Sequence, residues 1–443
     1  MQLIRSLYTN SRLYLSLSIT IFLCLVGFAY PIFFVIAQPI LLCILVLALV
    51  DLLLLYRLRQ GIEAQRFCPE KLSNGDENEL FIQLKNHYRF LIQATIIDEV
   101  PHQFQVRDFN KSTQLAAGTS KNIAYTLRPI KRGAYEFGQT NVYVTGIIGF
   151  FSRRYRFGEP HPVPVYPSYL QMRKYEFLAI SNRLAEIGIK KVRKVGHNME
   201  FDQIRDYVRG DDYRSINWKA TARKRHFMVN QYQDEKSQQI YCLIDKGRAM
   251  RMPFENLTLL DYAINASLVL SNIAIRKQDK AGLITFNDGV KTLLPASDRN
   301  AQMNKISEAL YREKTAYKES DFENLYIHIK RRLSQRALLL LFTNFEALPS
   351  LERQLKYLRA IAKKHLLVVV FFENTETKAL LRSTPTSTEE VYIKTIGEKL
   401  SYDKRQMVKE LKKYGIYSIL TPPAELTVNA LNKYLELKAR GLI

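Results

Sequence analysis

The run EFDQIRDYVRGDDYRSINWKATARKR, residues 200–225, is the densest polar stretch of the chain. Asp202, Arg205, Asp206 and Arg209 alternate in sign at spacings of three and four, which on a helix would set them side by side as ion pairs. Gly210 permits a sharp turn. Asp211 or Asp212 is then placed to cap a following helix that carries Arg214, Trp218, Lys219, Arg223 and Lys224. Three kinds of chemistry are open to such a run. The carboxylates of Asp211 and Asp212 could serve general acid–base catalysis, but adjacent residues rarely converge on one substrate and no activated nucleophile lies near. The charges could instead brace two domains, with Trp218, the single tryptophan, wedged into the seam. Or the arginines and lysines could form a docking face for a partner.

A second stretch, YCLIDKGRAM, runs from Tyr241 to Met250. Ile240 to Ile244 reads as a short apolar strand that ends in Asp245, and the carboxyl end of such a strand is where an α/β domain builds its ligand site. Acids and hydroxyls are expected there if a metal is to be held. The residues that follow are Lys246, Gly247, Arg248 and Ala249. At its simplest, Asp245 caps a turn at a strand end. The seven histidines are scattered, and the four cysteines resemble neither a disulfide framework nor a zinc knuckle, so reduced thiols are expected. No GxxxxGK[ST] phosphate loop is present.

Elements that could position these residues follow from periodicity. Residues 239–443 alternate nearly continuous apolar strands with helices, the pattern of a doubly wound (Rossmann-like) α/β domain whose sheet is covered on both faces. Residues 169–238 form a helical, charged segment: Leu170 to Gly196 reads as a helix that ends in the basic run KKVRKVG, and the polar run follows. Residues 60–168 show short alternating strands separated by turn signals such as SNGDENE and AAGTS, which predicts a small antiparallel β-sandwich without a catalytic constellation.

Residues 1–59 are different in kind. From Leu13 to Tyr56 the only charged side chain is Asp51, and that length crosses a hydrocarbon core of roughly 30 Å twice. A transmembrane hairpin is expected, with helices near Leu13–Tyr30 and Pro39–Tyr56 and breaks at Tyr30-Pro31 and Gln38-Pro39. Arg5 and Arg12 precede it and Arg57, Arg59 and Arg66 follow it, which puts both ends in the cytoplasm by the positive-inside rule. The rival reading is a signal peptide cleaved after Gly27-Phe28-Ala29; the apolar sequence that continues past that site argues against it. Asp51 is expected to face the other helix or to reach the headgroups. Lys and Arg number 65 against 42 Asp and Glu, a balance of +23 that favours an anionic partner without choosing among lipid, nucleic acid and acidic protein.

The run GHNMEFDQIRDYVRGDDYRSINWKATARK strongly resembles the signature of the domain-of-unknown-function 58 family, bacterial membrane-anchored proteins with a von Willebrand factor type A-like domain. The matching positions are Gly196, Glu200, Phe201, Ile204, Arg205, Tyr207, Gly210, Asp211, Asp212, Arg214, Ile216, Trp218, Lys219, Ala222 and Arg223. The layout of hairpin, β domain, signature and α/β domain also resembles the family's. A-type domains commonly hold Mg²⁺ or Mn²⁺ through Asp-x-Ser-x-Ser, a threonine from a second loop and an aspartate from a third. The resemblance implies that Asp245 keeps the acid of the first loop while Gly247 and Ala249 replace its hydroxyls; Ser320 or Asp321 serves the second loop, and Asn344, after Thr343, stands where the third loop has an aspartate. A hard cation wants several oxygens and charge neutralisation. A metal-free site is therefore expected, with a Lys or Arg near Asp245 in the cation's electrostatic role, and weak Mg²⁺ binding through Asp245, Ser320 and Thr343 as the alternative.

The expected function is a non-enzymatic, membrane-tethered interaction scaffold in the bacterial inner (cytoplasmic) membrane, its soluble domains in the cytoplasm. Its implied partner is an AAA+ ATPase of MoxR type, acting with it to assemble or activate other proteins. The interaction residues would be those of the signature, Glu200, Phe201, Arg205, Tyr207, Gly210, Asp211, Asp212, Arg214, Trp218, Lys219 and Arg223. A metal-dependent enzyme using Asp211, Asp212 or Asp245 is one alternative. Binding of nucleic acid or anionic lipid through KKVRKV and RKRH is another; those runs lack interleaved aromatics, so membrane lipid is the expected contact and nucleic acid is not.

Overall fold

The computed structural model describes residues 6–106, 109–180, 199–234, 237–255, 257–299, 301–375 and 387–443; for 177–180, 199–202 and 231–234 it describes the backbone alone. The chain forms two compact units, Met1–Tyr166 and Pro167–Ile443.

The first unit opens with strand β1 (Leu7–Thr9) and two helices, Ser11–Ala29 and Pro31–Tyr56, both long and apolar enough to cross a membrane. The bend between them falls at Tyr30 alone. Pro39 lies inside the second helix rather than breaking it, as apolar helices tolerate when neighbouring groups re-satisfy the freed carbonyl. Ten further strands follow: β2 (Ile62–Phe67), β3 (Leu72–Ser73), β4 (Asn78–Asn86), β5 (Ile92–Asp98), β6 (Lys111–Leu115), β7 (Ser120–Leu127), β8 (Gly133–Phe137), β9 (Thr140–Thr145), β10 (Phe151–Phe157) and β11 (His161–Tyr166). They make sheets of order β1-β10-β9-β5-β6, β2-β4-β7 and β3-β11-β8. In β4 every second residue is buried, including Leu80, Ile82 and Leu84, and these meet Ile92, Ala94, Ile96, Val142 and Val144 of the opposing sheet in one core. Buried Asp98 ties four strands together. It accepts from Arg66 Nη1 (2.8 Å), Tyr125 OH (2.6 Å) and Thr140 Oγ1 (2.8 Å).

Asp51 is buried. Its Oδ2 accepts the backbone N–H groups of Phe150 and Phe151, each at 2.9 Å, so it pins the second helix to the turn before β10. The end of that helix is held as firmly. Arg153 donates to the carbonyls of Leu55 (2.8 Å), Leu58 (2.6 Å) and Arg59 (2.9 Å), and Tyr88 OH donates to Leu55 (2.8 Å), which satisfies carbonyls that a helix end leaves open.

The second unit begins with helix Tyr169–Ile180; the rest of the helix expected to Gly196 lies outside the described residues. Strands β12 (Met199–Asp206) and β13 (Met228–Asp234) then pair as an antiparallel hairpin. The main sheet combines β14 (Gln239–Asp245), β17 (Lys280–Phe286), β18 (Val290–Ser297), β19 (Leu338–Phe342), β20 (Leu366–Phe372) and β21 (Tyr417–Thr421); a two-residue pair, β15 (Pro253–Phe254) and β16 (Leu257–Thr258), stands apart. Its order is β18-β17-β14-β19-β20-β21, all parallel except β18. Alternate residues of β14 enter different cores. Ile240, Cys242 and Ile244 pack with helices Leu259–Arg276 and Leu426–Ala439, while Tyr241 and Leu243 pack with Phe322–Arg332 and Leu348–Ala362. The sheet is thus covered on both faces. Helix Thr388–Lys413 is capped by Ser387 and helped by Glu389 and Glu390 in its first turn. Strand order reverses between β14 and β19, which opens a crevice at their carboxyl ends.

Candidate functional site

Asp245 ends β14 at that crevice and is 3% exposed. Its Oδ1 accepts from Gly247 N (2.8 Å) and from Ser320 Oγ, and its Oδ2 accepts from Thr343 Oγ1 (2.6 Å). Thr343 follows β19, and Ser320 precedes the cap of helix Phe322–Arg332, so three loops converge on one carboxylate. Gly247 makes this possible, since a side chain there would collide with Ser320 Oγ. Ser320 therefore supplies the hydroxyl that position 247 lacks. Burial raises the Asp245 carboxyl above its ordinary range, and Ser320, Thr343 and the Gly247 N–H oppose that shift.

Among the described residues no lysine or arginine pairs with Asp245, contrary to the expected internal cation. Lys246 turns the other way to bind Glu313, whose second oxygen accepts from Thr285 Oγ1 and Thr292 Oγ1, both at 2.8 Å. Arg248 is exposed. The reason is register: successive residues at a strand end leave on opposite faces. The cation at the third loop comes from a distant helix instead. Lys404 Nζ donates to Asn344 Oδ1 (2.7 Å) and to Phe345 O (2.5 Å) and lines a mainly apolar cleft with Met252, Phe254, Leu259, Phe372 and Leu420. Burial pulls its ammonium down to about 8, against Glu346, which raises it.

These groups do not fit a divalent cation. Both Asp245 oxygens already accept from protein donors, Gly247 and Ala249 offer no hydroxyl, and Asn344 Oδ1 faces an ammonium. Among the described residues no three His, Cys, Asp or Glu side chains converge as ligands.

The polar run folds differently from its expected helix. Residues 199–206 are strand β12, because pairing with β13 satisfies their backbone and tertiary pairing overrides the charge spacing. Asp206 meets His226 across the hairpin at 2.7 Å. Arg205 clasps Asp211 at 2.9 and 2.6 Å, and the Val208 N–H adds a third bond, so the Asp211 carboxyl is held below its ordinary range. Asp212 accepts from Arg214 N (3.0 Å) in a short turn, and Asn217, not either aspartate, caps the helix Trp218–Lys224. Gly210 turns with φ +116°, a conformation that side chains disfavour. The carboxylates of Asp211 and Asp212 are thus engaged separately.

Trp218 is 67% exposed, edge-on to Phe227, with Tyr213 at 69% and Val208 at 61% nearby in the sequence. Tyr207, Arg209, Arg214, Lys219 and Arg223 are exposed too. Glu200 and Phe201 lie in β12, and their side chains fall outside the described residues. Of the residues considered for the three loops, the structure brings Ser320 and Thr343 onto Asp245, while Asp321 caps helix Phe322–Arg332 and Asn344 meets Lys404. Sequence reasoning missed Lys404, one lysine among many in its helix, and Glu313, whose partner is set only by the fold.

Residues 203–398 match the model of the family described as "Protein of unknown function DUF58". A curated relative, the uncharacterized protein YeaD of Bacillus subtilis (strain 168), is 23% identical over 203 residues, 44% of this chain and 50% of that protein. The chain spans about half the length of the curated relative it matches. Among solved structures, the conserved hypothetical protein BatB from Bacteroides thetaiotaomicron is 13% identical with TM-score 0.29, over 46% of this chain and 98% of that one. PapD-like domain 7 of human CEP192 is 16% identical with TM-score 0.18, over 23% and 82%. Both likenesses are too slight to bear on topology, which stands on the strand pairing above.

Proposed function

We propose that this chain, whose residues 203–398 match the DUF58 family model, is a membrane-anchored, non-enzymatic scaffold that docks a partner protein on the hairpin of β12 and β13. The observation that carries this reading is the exposure of Tyr213, Trp218 and Phe227 among Arg209, Arg214, Lys219 and Arg223. Tryptophan, tyrosine and arginine are the residues that interfaces use as anchors, and an uncommitted tryptophan is costly to leave in water. The basic rim suits an acidic partner face. The family resemblance adds the partner's class, an AAA+ ATPase of MoxR type, and an A-type reading of the α/β unit. The two apolar helices anchor the protein in the bacterial cytoplasmic membrane with the soluble parts in the cytoplasm. Recognition proceeds without a bridging metal, since the groups around Asp245 are satisfied by one another.

The test is a crosslinked pull-down from membranes with a MoxR-type ATPase from the same source. Intact protein should retain the ATPase, and Arg214→Ala or Trp218→Ala should lose it; Asp245→Ala reports whether the crevice contributes. Retention unchanged in all three variants would discard both surfaces. A steep salt dependence of binding to DNA, with none to lipid vesicles, would favour the nucleic-acid reading instead.

A further inference from the structure

Turn 146–150, Gly-Ile-Ile-Gly-Phe, joins β9 to β10, and three groups from the apolar helices grip it. Asp51 Oδ2 takes the N–H of Phe150, Asn10 Nδ2 donates to Gly149 O (3.1 Å), and Arg12 Nη1 reaches Ile148 O (3.5 Å). Counted from the bend at Tyr30, Ser11 lies level with Leu49, so Asn10, Arg12 and Asp51 all sit where the apolar span of the hairpin begins. The turn they hold is at that same level.

Two large aliphatic side chains project there. Ile147 is 65% exposed, and Leu91, in the turn between β4 and β5, is 50% exposed. The two turns adjoin: a Cβ on Gly146 would stand 3.8 Å from the Phe90 ring, and Tyr88 packs on Phe90 with ring centroids 5.0 Å apart. Arg89 beside them is exposed. At the other end of β10 the chain turns through Gly158 and Glu159, without aliphatics. Aliphatics beside arginines, at the level where a helix leaves hydrocarbon, have the chemistry of a headgroup boundary.

We infer that the β-sandwich rests directly on the bilayer, with Ile147 and Leu91 immersed in the headgroup and upper acyl region of phospholipid. This rests on the membrane-spanning reading of the two helices. It makes the sandwich a seated base whose height and tilt are set by Asp51 and Arg153, rather than a domain swinging from a tether.

Depth-dependent quenching tests this on the full chain in phosphatidylcholine–phosphatidylglycerol vesicles. In a Trp218→Phe background, a single tryptophan is introduced as Ile147→Trp, Leu91→Trp, Glu159→Trp or Leu45→Trp, with lipids brominated either near the headgroup end or midway along the acyl chain. Ile147→Trp and Leu91→Trp should lose emission to the shallow bromines and shift to the blue, Leu45→Trp should be quenched by the deep ones, and Glu159→Trp should be unaffected. Quenching of Leu45→Trp with none at positions 147 and 91 overturns the inference while the membrane span stands. No quenching at position 45 overturns the membrane span, and the inference with it.

Discussion

The Asp245 crevice and the β12–β13 hairpin lie in the same unit and treat their polar groups in opposite ways. At the crevice the donors close on acceptors of the protein itself: Ser320, Thr343 and Gly247 on Asp245, Lys246 on Glu313, and Lys404 on Asn344. On the hairpin the aspartates are tied locally, while the aromatic and basic groups remain in solvent. A closed polar network rigidifies; an exposed set of anchors is available to bind. On the proposed reading, stability belongs to the first region and recognition to the second.

Substitutions should separate the two regions, and the largest effect belongs to the crevice. Lys246→Ala leaves Glu313 buried without its cation and should cost about 3–5 kcal/mol in denaturant unfolding of the unit. Asp245→Ala strips the acceptor from two hydroxyls and an N–H and should cost about 1–3 kcal/mol by the same measurement. Lys404 gives a pH signature. Its folded value of about 8 lies below the ordinary 10.5, so the unfolded chain holds the proton over that window and stability should rise from about pH 8 to 10.5. The rise should be smaller in Lys404→Met, measured as the difference between the two unfolding curves. The smallest effect is expected at the hairpin, where Trp218→Ala should shift stability by no more than about 0.5 kcal/mol while abolishing partner retention. A Trp218→Ala chain that unfolds as readily as Lys246→Ala would erase the contrast.

Much of the architecture was legible because it rests on period and length. The alternation in Asn78–Asn86, the apolar runs of β14, β19 and β20, and the uncharged length around Tyr30 each name their element. The polar run was misread because signs spaced by three and four suit a helix, yet β13 offers the same backbone a partner more than twenty residues away. The donors to Asp51, the N–H groups of Phe150 and Phe151, were not legible for a related reason: they lie far along the chain. Within the crevice, Asp245, Ser320 and Thr343 were nameable from strand ends and family resemblance, whereas Lys404 and Glu313 carried no local mark.

By itself, the sequence determined which segments bury apolar surface and in what period, hence a helical hairpin, a β-sandwich and a doubly wound sheet, since these follow from neighbours a few residues apart. Which charge meets which and whether Trp218 is covered were decided by tertiary structure alone. Those pairings join residues tens of positions apart, and their energies depend on burial that no local pattern specifies.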